Sequence, residues 1–264
     1  MSHRMGLFDP NSDSFHVGPA HQALVREMGI DARGVFTDPR IVAWRKLNDR
    51  QNCTLDEAVG GQRVRLHVKR YTAVPGPTPA DDEQAGHRLL LDAGIATAPL
   101  VAWGVLTDRR SFTIWQDLTG FTPGDKLIES GIPFERILAP TADLAAKLHQ
   151  AGLHHRDLYL CHFMVALAGD TVELRLIDTA RVRQLPSLFL RRRWIVKDLA
   201  QFWYSTTKHA ISEEQRERWL AIYANRRGVS PRSLRSAIRR KSNAIARHDR
   251  RLNEKQPTRN VSIG

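Results

Sequence analysis

Two short stretches of this chain decide how the rest of it is interpreted. Residues 154–163 read His-His-Arg-Asp-Leu-Tyr-Leu-Cys-His-Phe, and residues 174–178 read Leu-Arg-Leu-Ile-Asp. Before the first stretch, apolar residues at helical spacing end at Gly152, a residue type that commonly terminates helices. Apolar and polar residues alternate ahead of Asp178, which is typical of a strand. The chain therefore predicts a helix, a loop that carries Asp157, a hairpin and then Asp178.

This order of elements is that of a protein-kinase catalytic core. In such kinases the Asp of an H-R-D triplet orients the attacking hydroxyl group, and a later Asp that follows a strand binds metal. Asp157 and Asp178 occupy these positions in the same order, and Arg156 completes the triplet as a residue that supports the loop. Protein kinases carry a metal-binding Asn where this chain has His162. A triplet alone could arise by chance, so the interpretation depends on the elements around it.

The sequence around these residues resembles the lipopolysaccharide core heptose kinase (Kdo/WaaP) family. The likeness lies in A-G-L-H-H-R-D-L-Y-L-C-H-F-M-V at residues 151–165 and in L-I-D-T-A-R at residues 176–181. In that family, too, a His stands at the position of the kinase Asn. The resemblance implies that His162 and Asp178 bind the metal and that Asp157 acts in catalysis. It also implies an α+β, protein-kinase-like bilobal fold, with a small β-rich N-lobe and a larger helical C-lobe.

A candidate nucleotide-binding segment precedes the catalytic stretch. Residues 63–71 alternate polar and apolar side chains, which predicts a strand, and Lys69 falls near its end as the phosphate-binding Lys of kinases does. Residues 80–92 predict a helix that ends before Gly94. Family resemblance selects Glu83 in this helix as the ion-pair partner of Lys69. In the alternative interpretation, Lys69 is a solvated strand end and Glu83 only favours the helix N-terminus.

The segments that would contact the rest of ATP give weaker signals. Residues 48–54 stand where a glycine-rich flap is expected, yet they contain no Gly, so close backbone approach to the phosphates is not indicated. After two strands predicted between residues 99 and 115, the chain reaches the position of a kinase hinge. Backbone groups there are predicted to bind adenine; the residues are Gln116, Asp117 and Leu118.

The connection after Asp178 is short and rich in arginine. Only residues 179–197 separate it from Asp198, and no A-P-E triplet follows. A kinase that binds peptides needs a longer segment here, so the connection favours a small or lipid-linked anionic acceptor. Asp198 lies in a K-D-L-A run that again resembles the family and predicts that it supports the catalytic loop. The candidate acceptor ligands are Arg181, Arg183, Arg191, Arg192 and Arg193.

Composition limits the partners and the compartment. The chain has 40 Lys and Arg against 28 Asp and Glu, a net charge of +12, which favours a polyanionic partner. Nucleic acid is not expected, because no RNP, helix-turn-helix or zinc-binding spacing is present. Its 2 Cys residues are too few for a disulfide framework, and no signal peptide or long apolar run is evident. We therefore expect a cytoplasmic protein with peripheral contact at the inner membrane surface.

The chain is expected to form one catalytic unit with flanking segments. We predict an irregular N-terminal extension over residues 1–40, an N-lobe over 41–118, a helical C-lobe over 119–252 and a disordered basic tail over 253–264. The last helix of the C-lobe is predicted to start near Pro231. Most of its basic residues lie off its apolar stripe, which suits anionic lipid headgroups.

The resemblance implies an ATP-dependent kinase that phosphorylates a heptose or Kdo hydroxyl of the lipopolysaccharide inner core, with Mg²⁺ or Mn²⁺ as the metal. One alternative is another kinase-like phosphotransferase that acts on a small molecule or a protein; antibiotic and choline kinases normally keep Asn where His162 stands. Another is a catalytically inactive kinase-like scaffold that binds an anionic partner. The Gly-free flap and His162 motivate that second alternative.

Overall fold

The computed structural model describes residues 12–255, and its contacts divide the chain into two compact units. The first unit contains the residues up to Ala85 together with Ala98–Asp117, and the second contains Gly86–Thr97 and the residues from Leu118 onward. The sequence assigned residues 86–97 to the N-lobe. In the structure Leu90 and Ile95 of this segment are buried in the core of the second unit, which is why the segment groups with it.

The first unit is built on an antiparallel sheet. Its strands are β1 (His16–Val17), β2 (Val42–Lys46), β3 (Arg50–Val59), β4 (Gln62–Tyr71), β5 (Leu100–Val105) and β6 (Ser111–Gln116). They lie in the order β1-β5-β6-β4-β3-β2. Gly60 and Gly61 turn the β3–β4 hairpin with φ of 56° and 76°, as a type I′ turn requires. β4 lies between β3 and β6, so Lys69 sits on a strand that is hydrogen-bonded along both edges.

The segment before β2 packs on the core of this unit. It contains two short helices, α1 (Gln22–Met28) and α2 (Gly34–Thr37). Val25, Met28 and Val35 are buried with apolar residues of the sheet. The part of the predicted extension that the structure describes, residues 12–40, therefore contributes to the core; residues 1–11 lie outside the described part of the chain.

The second unit is mainly helical. α3 (Pro79–Asp92) contributes its residues from Gly86 on, and α4 (Gly124–Glu129), α5 (Glu135–Gln150), α6 (Leu188–Thr206), α7 (Glu213–Arg226) and α8 (Pro231–Lys255) belong to it entirely. Its short strands are β7 (Thr122–Pro123), β8 (Leu153–His154), β9 (Phe163–Ala168), β10 (Thr171–Leu176) and β11 (Arg183–Gln184). The sheets have the orders β10-β9-β7 and β11-β8. The elements of both units confirm the predicted α+β class.

Aromatic packing fixes α6 and α7 in the core of the second unit. Phe202 of α6 stacks on Trp219 of α7 with ring centroids 4.1 Å apart, and Phe163 meets Phe202 edge-on at 5.4 Å. All three rings are almost fully buried. Because Phe163 is the last residue of the catalytic stretch, this packing ties the end of the predicted catalytic loop to α6.

α8 begins at Pro231, as predicted, and is described as far as Lys255. Leu234 and Ile238 are buried, while its basic side chains are exposed. Residues 256–264 of the predicted tail lie outside the described part of the chain. Within residues 12–255, none of the helices combines the length and apolar content needed to cross a bilayer.

Candidate active site

The catalytic stretch forms a loop between β8 and β9, and the β9–β10 hairpin then leads to Asp178. Two non-glycine residues of this region have left-handed backbone conformations: Arg156, with φ of 70°, and Asp178, with φ of 64°. Such conformations are uncommon outside glycine, and they persist where the surrounding structure fixes them. At Arg156, hydrogen bonds to side chains of α6 fix the conformation.

Asp198 of α6 holds the loop through its backbone. Its carboxylate, which is fully buried, accepts hydrogen bonds from the amides of His155 at 2.6 Å and Arg156 at 2.8 Å. His149 Nε2 lies 3.3 Å away. Burial alone would raise the pKa of Asp198, but the His149 hydrogen bond and the nearby donors outweigh it and leave the pKa lowered. A charged Asp198 with three donors thus supports the unusual backbone at Arg156.

Gln201 and Ser205, one and two turns further along α6, complete the support. Gln201 donates to the carbonyl oxygen of Arg156 at 2.7 Å and lies within 3.3 Å of Asp157 Oδ1, and its own oxygen accepts from the Leu158 amide. Ser205 Oγ accepts from the amide of Leu160 at 2.9 Å. The sequence interpretation missed Gln201, Ser205 and His149. A signal existed for the first two, because polar residues 198, 201 and 205 recur on one helical face within an otherwise apolar stretch.

The sequence interpretation also missed the close approach of α3, at Gly86, to the segment that follows Asp178. A Cβ atom at Gly86 of α3 would come within 1.9 Å of the carbonyl oxygen of Thr179. Any larger residue would therefore push α3 away from the segment that follows Asp178. A glycine inside a predicted helix is the sequence signal for such close approach.

The carboxylate of Asp157 is already paired. Arg181 Nη1 lies 3.1 Å from each of its oxygens. The Asp157 side chain is about one-fifth exposed, and that of Arg181 is nearly half exposed. Arg181, predicted as an acceptor ligand, thus pairs with the carboxylate of the predicted catalytic residue, and guanidinium groups of this kind also suit phosphate and carboxylate groups.

His162 and Asp178, both predicted to bind the metal, lie close together in the structure. His162 Nδ1 lies 2.6 Å from the carbonyl oxygen of Asp157, to which it donates, and Nε2 lies 3.7 Å from Asp178 Oδ2. Burial lowers the pKa of His162. Its contact with Cys161, the charge of Asp178 and the Asp157 carbonyl raise the pKa by more than burial lowers it, so the pKa is raised to about 9. The raised pKa favours the protonated ring, with Nε2 facing Asp178 Oδ2.

This donor set fits a divalent metal ion. The Asp157 carbonyl fixes Nδ1–H, so Nε2 is the ring atom left to bind metal, which is the usual way a metal-binding His is oriented. Two donor atoms 3.7 Å apart can each reach an ion at about 2.1 Å. Since the ion must displace the Nε2 proton, its binding should release a proton.

In the first unit, Lys69 and Glu83 form the ion pair expected from the sequence. Lys69 Nζ lies 2.5 Å from Glu83 Oε1, which also accepts a 2.8 Å hydrogen bond from Tyr71. Glu83 is only 1% exposed. A buried carboxylate is retained only with such partners, so Glu83 is better explained by this pairing than by a helix-terminus preference.

The predicted hinge residues are partly engaged in other contacts. The amide of Gln116 donates to Pro99, and the amide of Asp117 donates to Arg65 at 3.1 Å. His67 Nε2 also lies 2.7 Å from the Asp117 carboxylate. The carbonyl of Leu118 accepts from Phe121. The two amides of Gln116 and Asp117 therefore cannot donate to adenine unless these bonds break first.

The candidate acceptor arginines do not form one cluster. Arg183 donates to the carbonyl oxygens of Ala180 and Val182, within its own turn. Arg192 donates to Ser233 of α8 at 2.7 Å. Arg193 lies over the ring of Trp194, 5.7 Å from its centre. Arg191, half-buried at the start of α6, lies near Gly152. Of the five, Arg181 is the one whose side chain pairs with Asp157.

Comparison with known proteins identifies the family. The sequence model of the Lipopolysaccharide kinase (Kdo/WaaP) family matches residues 37–223, which include every candidate catalytic and metal-binding residue. The chain belongs to this family. It is accordingly a phosphotransferase that acts on a sugar hydroxyl group of the lipopolysaccharide core. Kinases of this kind use ATP and typically a divalent metal.

Two characterised relatives share about a quarter of their aligned residues with this chain. The lipopolysaccharide core heptose(I) kinase WaaP of Escherichia coli (strain K12) is 27% identical over 186 residues, covering 62% of this chain and 67% of that protein. The protein of the same name from Pseudomonas aeruginosa PAO1 is 26% identical over 189 residues, covering 65% and 67%.

Solved structures similar to this chain include two kinase-like proteins. A thermostable mutant of aminoglycoside phosphotransferase APH(4)-Ia has a TM-score of 0.49 at 12% identity, covering 83% of this chain and 87% of that one. WbdD has a TM-score of 0.46 at 15% identity over 75% of this chain, which spans only 44% of the WbdD chain.

Proposed function

We propose that this chain transfers the γ-phosphoryl group of ATP to a hydroxyl group of a heptose in the lipopolysaccharide inner core. The names of the curated relatives, both heptose(I) kinases, support heptose over Kdo as the acceptor sugar. The observation that carries the proposal is the loop in which Asp198 holds Asp157 next to a His162–Asp178 pair. A scaffold without activity would not need an ordered carboxylate beside a metal-binding pair.

Asp157 is the residue that receives the hydroxyl proton. As the acceptor oxygen forms its bond to the γ-phosphorus, the bond from that phosphorus to the bridging oxygen breaks, ADP leaves, and the proton passes to the Asp157 carboxylate. Gln201, 3.3 Å from Oδ1, limits rotation of this carboxylate. Arg181 stabilises the negative charge on Asp157 before the transfer and can contact the phosphoryl oxygens as charge develops there.

The other site residues bind and orient the nucleotide. His162 and Asp178 would hold Mg²⁺ or Mn²⁺, which when bound neutralises charge on the phosphate oxygens. Lys69 would bind phosphate oxygens directly, and Glu83, itself held by Tyr71, would keep the Lys69 ammonium group in position. The adenine contacts would involve backbone groups of residues 116–118.

The exposed basic residues of α8 support peripheral contact with an anionic membrane surface. They include Arg232, Arg240, Lys241, Arg247, Arg250 and Arg251. Each basic residue near such a surface is worth about 1 kcal/mol, and the attraction is screened by salt. We expect the protein to sediment with vesicles that contain phosphatidylglycerol at low salt and to be released by high salt; sedimentation with neutral vesicles to the same extent would contradict this.

The central experiment compares phosphate transfer by three proteins. Wild type, Asp157→Asn and a control, Asp170→Asn in the exposed β9–β10 turn, are incubated with ATP, Mg²⁺ and deacylated inner-core oligosaccharide, and product is detected by mass spectrometry. Asp157→Asn should transfer about 10²–10⁴-fold more slowly because it cannot accept the proton. Its ATP affinity should be close to that of wild type, and Asp170→Asn should be unchanged.

Two results would contradict the proposal. Wild-type transfer by Asp157→Asn would remove Asp157 from catalysis. An absence of transfer by wild type to any inner-core acceptor, with ATP still bound, would favour the inactive scaffold.

A further inference from the structure

A cavity in the second unit lies between the start of α6 and the middle of α8. Its volume is about 590 Å³, within the range that accommodates small ligands. Four of its lining side chains carry a positive charge: Arg192, Arg193, Lys197 and Lys241. Among the described residues that line it, none is acidic. The cavity therefore has the charge and the size of a site for an anion larger than a single ion.

Trp194 also lines the cavity, and its ring positions two of these cations together with Arg156. Arg156 lies over its ring at 4.8 Å from the centre, Lys197 at 5.4 Å and Arg193 at 5.7 Å. Contact with an aromatic face positions a cation, but the ring carries no net charge. Three positively charged groups are thus held around one indole ring, and their charges remain available to attract an anion.

Two pKa shifts indicate that the crowding is unfavourable in the absence of such a partner. Burial lowers the pKa of Arg156, and the charges of Arg181 and Arg183 lower it further, while Asp157 and Asp198 oppose this in part. Burial likewise lowers the pKa of Lys197, with Arg181 and Arg156 adding to the effect, while Asp157 and Asp198 oppose it in part. A bound anion would relieve this repulsion, so it would be attracted more strongly than by scattered surface charges.

The cavity is connected to the catalytic loop by sequence and by charge. Arg156 directly precedes Asp157, and Lys197 directly precedes Asp198, whose carboxylate holds the loop. Lys197 is also close enough to Asp157 to be affected by its charge. A group bound in the cavity would therefore be near the acceptor hydroxyl, yet separate from the atoms that react.

We propose that this cavity binds an anionic group, a phosphate or a carboxylate, on a sugar unit of the acceptor other than the one that is phosphorylated. The inference rests on the proposed function, and it adds that the acceptor is recognised at two points. Lys197 and Lys241 come from different helices, so together they can contact an anion from two sides. Arg193, with its planar group of donors, suits either chemical form.

The test measures whether the protein distinguishes acceptors by this anionic group. Wild type without nucleotide is titrated by calorimetry with deacylated inner-core oligosaccharide in three forms: untreated, treated with phosphatase, and with its carboxyl groups methyl-esterified. We expect one of the two treatments to weaken binding about tenfold or more, since charge-assisted hydrogen bonds are lost. The treatment that does so identifies the anion as phosphate or carboxylate.

Matched variants assign the effect to the cavity. Lys197→Gln/Lys241→Gln should bind all three forms with the low affinity of the treated acceptor. Lys197→Arg/Lys241→Arg, which keeps the charge, should retain most of the preference. The control Arg88→Gln/Arg218→Gln removes two exposed charges from α3 and α7, outside the cavity, and should behave like wild type. Thermal unfolding of each variant checks that it is folded.

The outcomes separate this inference from the proposed function. Equal binding of the three forms by wild type, or a full preference retained by the Gln double variant, would overturn the anion site. If phosphate transfer to the acceptor is nevertheless observed, the proposed function stands. Absence of binding and of transfer with every form would overturn both.

Discussion

Two consecutive parts of α6, residues 192–197 and 198–205, place their polar and charged groups in different environments. Further along the helix, Asp198 and Gln201 are buried and Ser205 is half-buried, and all three have hydrogen-bond partners in the catalytic loop. From Arg192 to Lys197, cations lie around Trp194 beside a cavity that has no acidic lining residue among those described. Buried polar groups that have all their partners specify structure, whereas charges left without counter-charges indicate a ligand. Residues 192–197 thus carry charges suited to binding a ligand, whereas the polar groups of residues 198–205 have their partners within the protein.

The largest expected effect is at Asp198, in the part of α6 whose polar groups have hydrogen-bond partners in the catalytic loop. Asp198→Asn should lower the free energy of unfolding by about 3–5 kcal/mol, because the amide cannot accept from both backbone N–H groups and carries no charge for His149. Transfer activity should fall with it, since the loop that holds Asp157 loses its anchor. Urea denaturation measures the stability, and Asp170→Asn is the control. A loss below about 1 kcal/mol would mean that the loop does not depend on Asp198.

The pH dependence of stability follows from the same residue. Because the pKa of Asp198 is lowered in the folded protein, its contribution is present above the unfolded-state pKa, about 3.9, and is lost as pH falls through the folded pKa. Wild type should therefore lose more stability than Asp198→Asn when the pH is lowered from 5 toward 3. Parallel curves for the two proteins would show that Asp198 is not charged in the native state.

The next effect concerns Gln201, which the sequence interpretation did not select. Gln201→Leu leaves the Leu158 amide and the Arg156 carbonyl without this partner, and an unpaired buried group costs about 1–3 kcal/mol. Because Gln201 also restrains Asp157, kcat should fall while KM for ATP stays nearly constant. Gln201→Glu is an informative companion, since it keeps the length but places a second negative charge beside Asp157. A changed KM with an unchanged kcat would contradict the positioning role.

Metal binding should depend on pH through His162. With its pKa raised to about 9, the imidazolium must lose a proton before Nε2 can bind an ion. The affinity for Mn²⁺, measured by titration calorimetry, should therefore rise about tenfold per pH unit between roughly 6.5 and 8.5. His162→Asn, which supplies an oxygen donor, should bind with little pH dependence, and His162→Leu should bind weakly. Equal metal affinity and activity of the Asn and Leu variants would remove His162 from the metal site.

The sequence predicted those parts of the site that depend on local spacing. The order of Asp157, His162 and Asp178, the strand that carries Lys69 and the helix that carries Glu83 could be predicted because each is encoded within a few residues. The left-handed backbone of Arg156 and the pairing of Arg181 with Asp157 could not, because they result from contacts across the fold. The hinge was the weakest prediction, since backbone hydrogen bonds leave no side-chain signal and those of Gln116 and Asp117 are made elsewhere.

The smallest expected effect is at Lys197, in the part of α6 that lines the cavity. It tests most directly whether the two parts of this helix differ as described. Lys197→Met keeps the aliphatic stem of the side chain and removes a charge that burial disfavours and that Arg181 and Arg156 repel, while Asp157 and Asp198 attract it in part. Its stability should therefore change by no more than about 0.5 kcal/mol, and in the stabilising direction, although the position is half-buried. The stabilisation should shrink in high salt, since salt already screens the repulsion in wild type. A marked destabilisation would show that Lys197 has a structural partner like Asp198 does, and the contrast between the two parts of the helix would no longer hold.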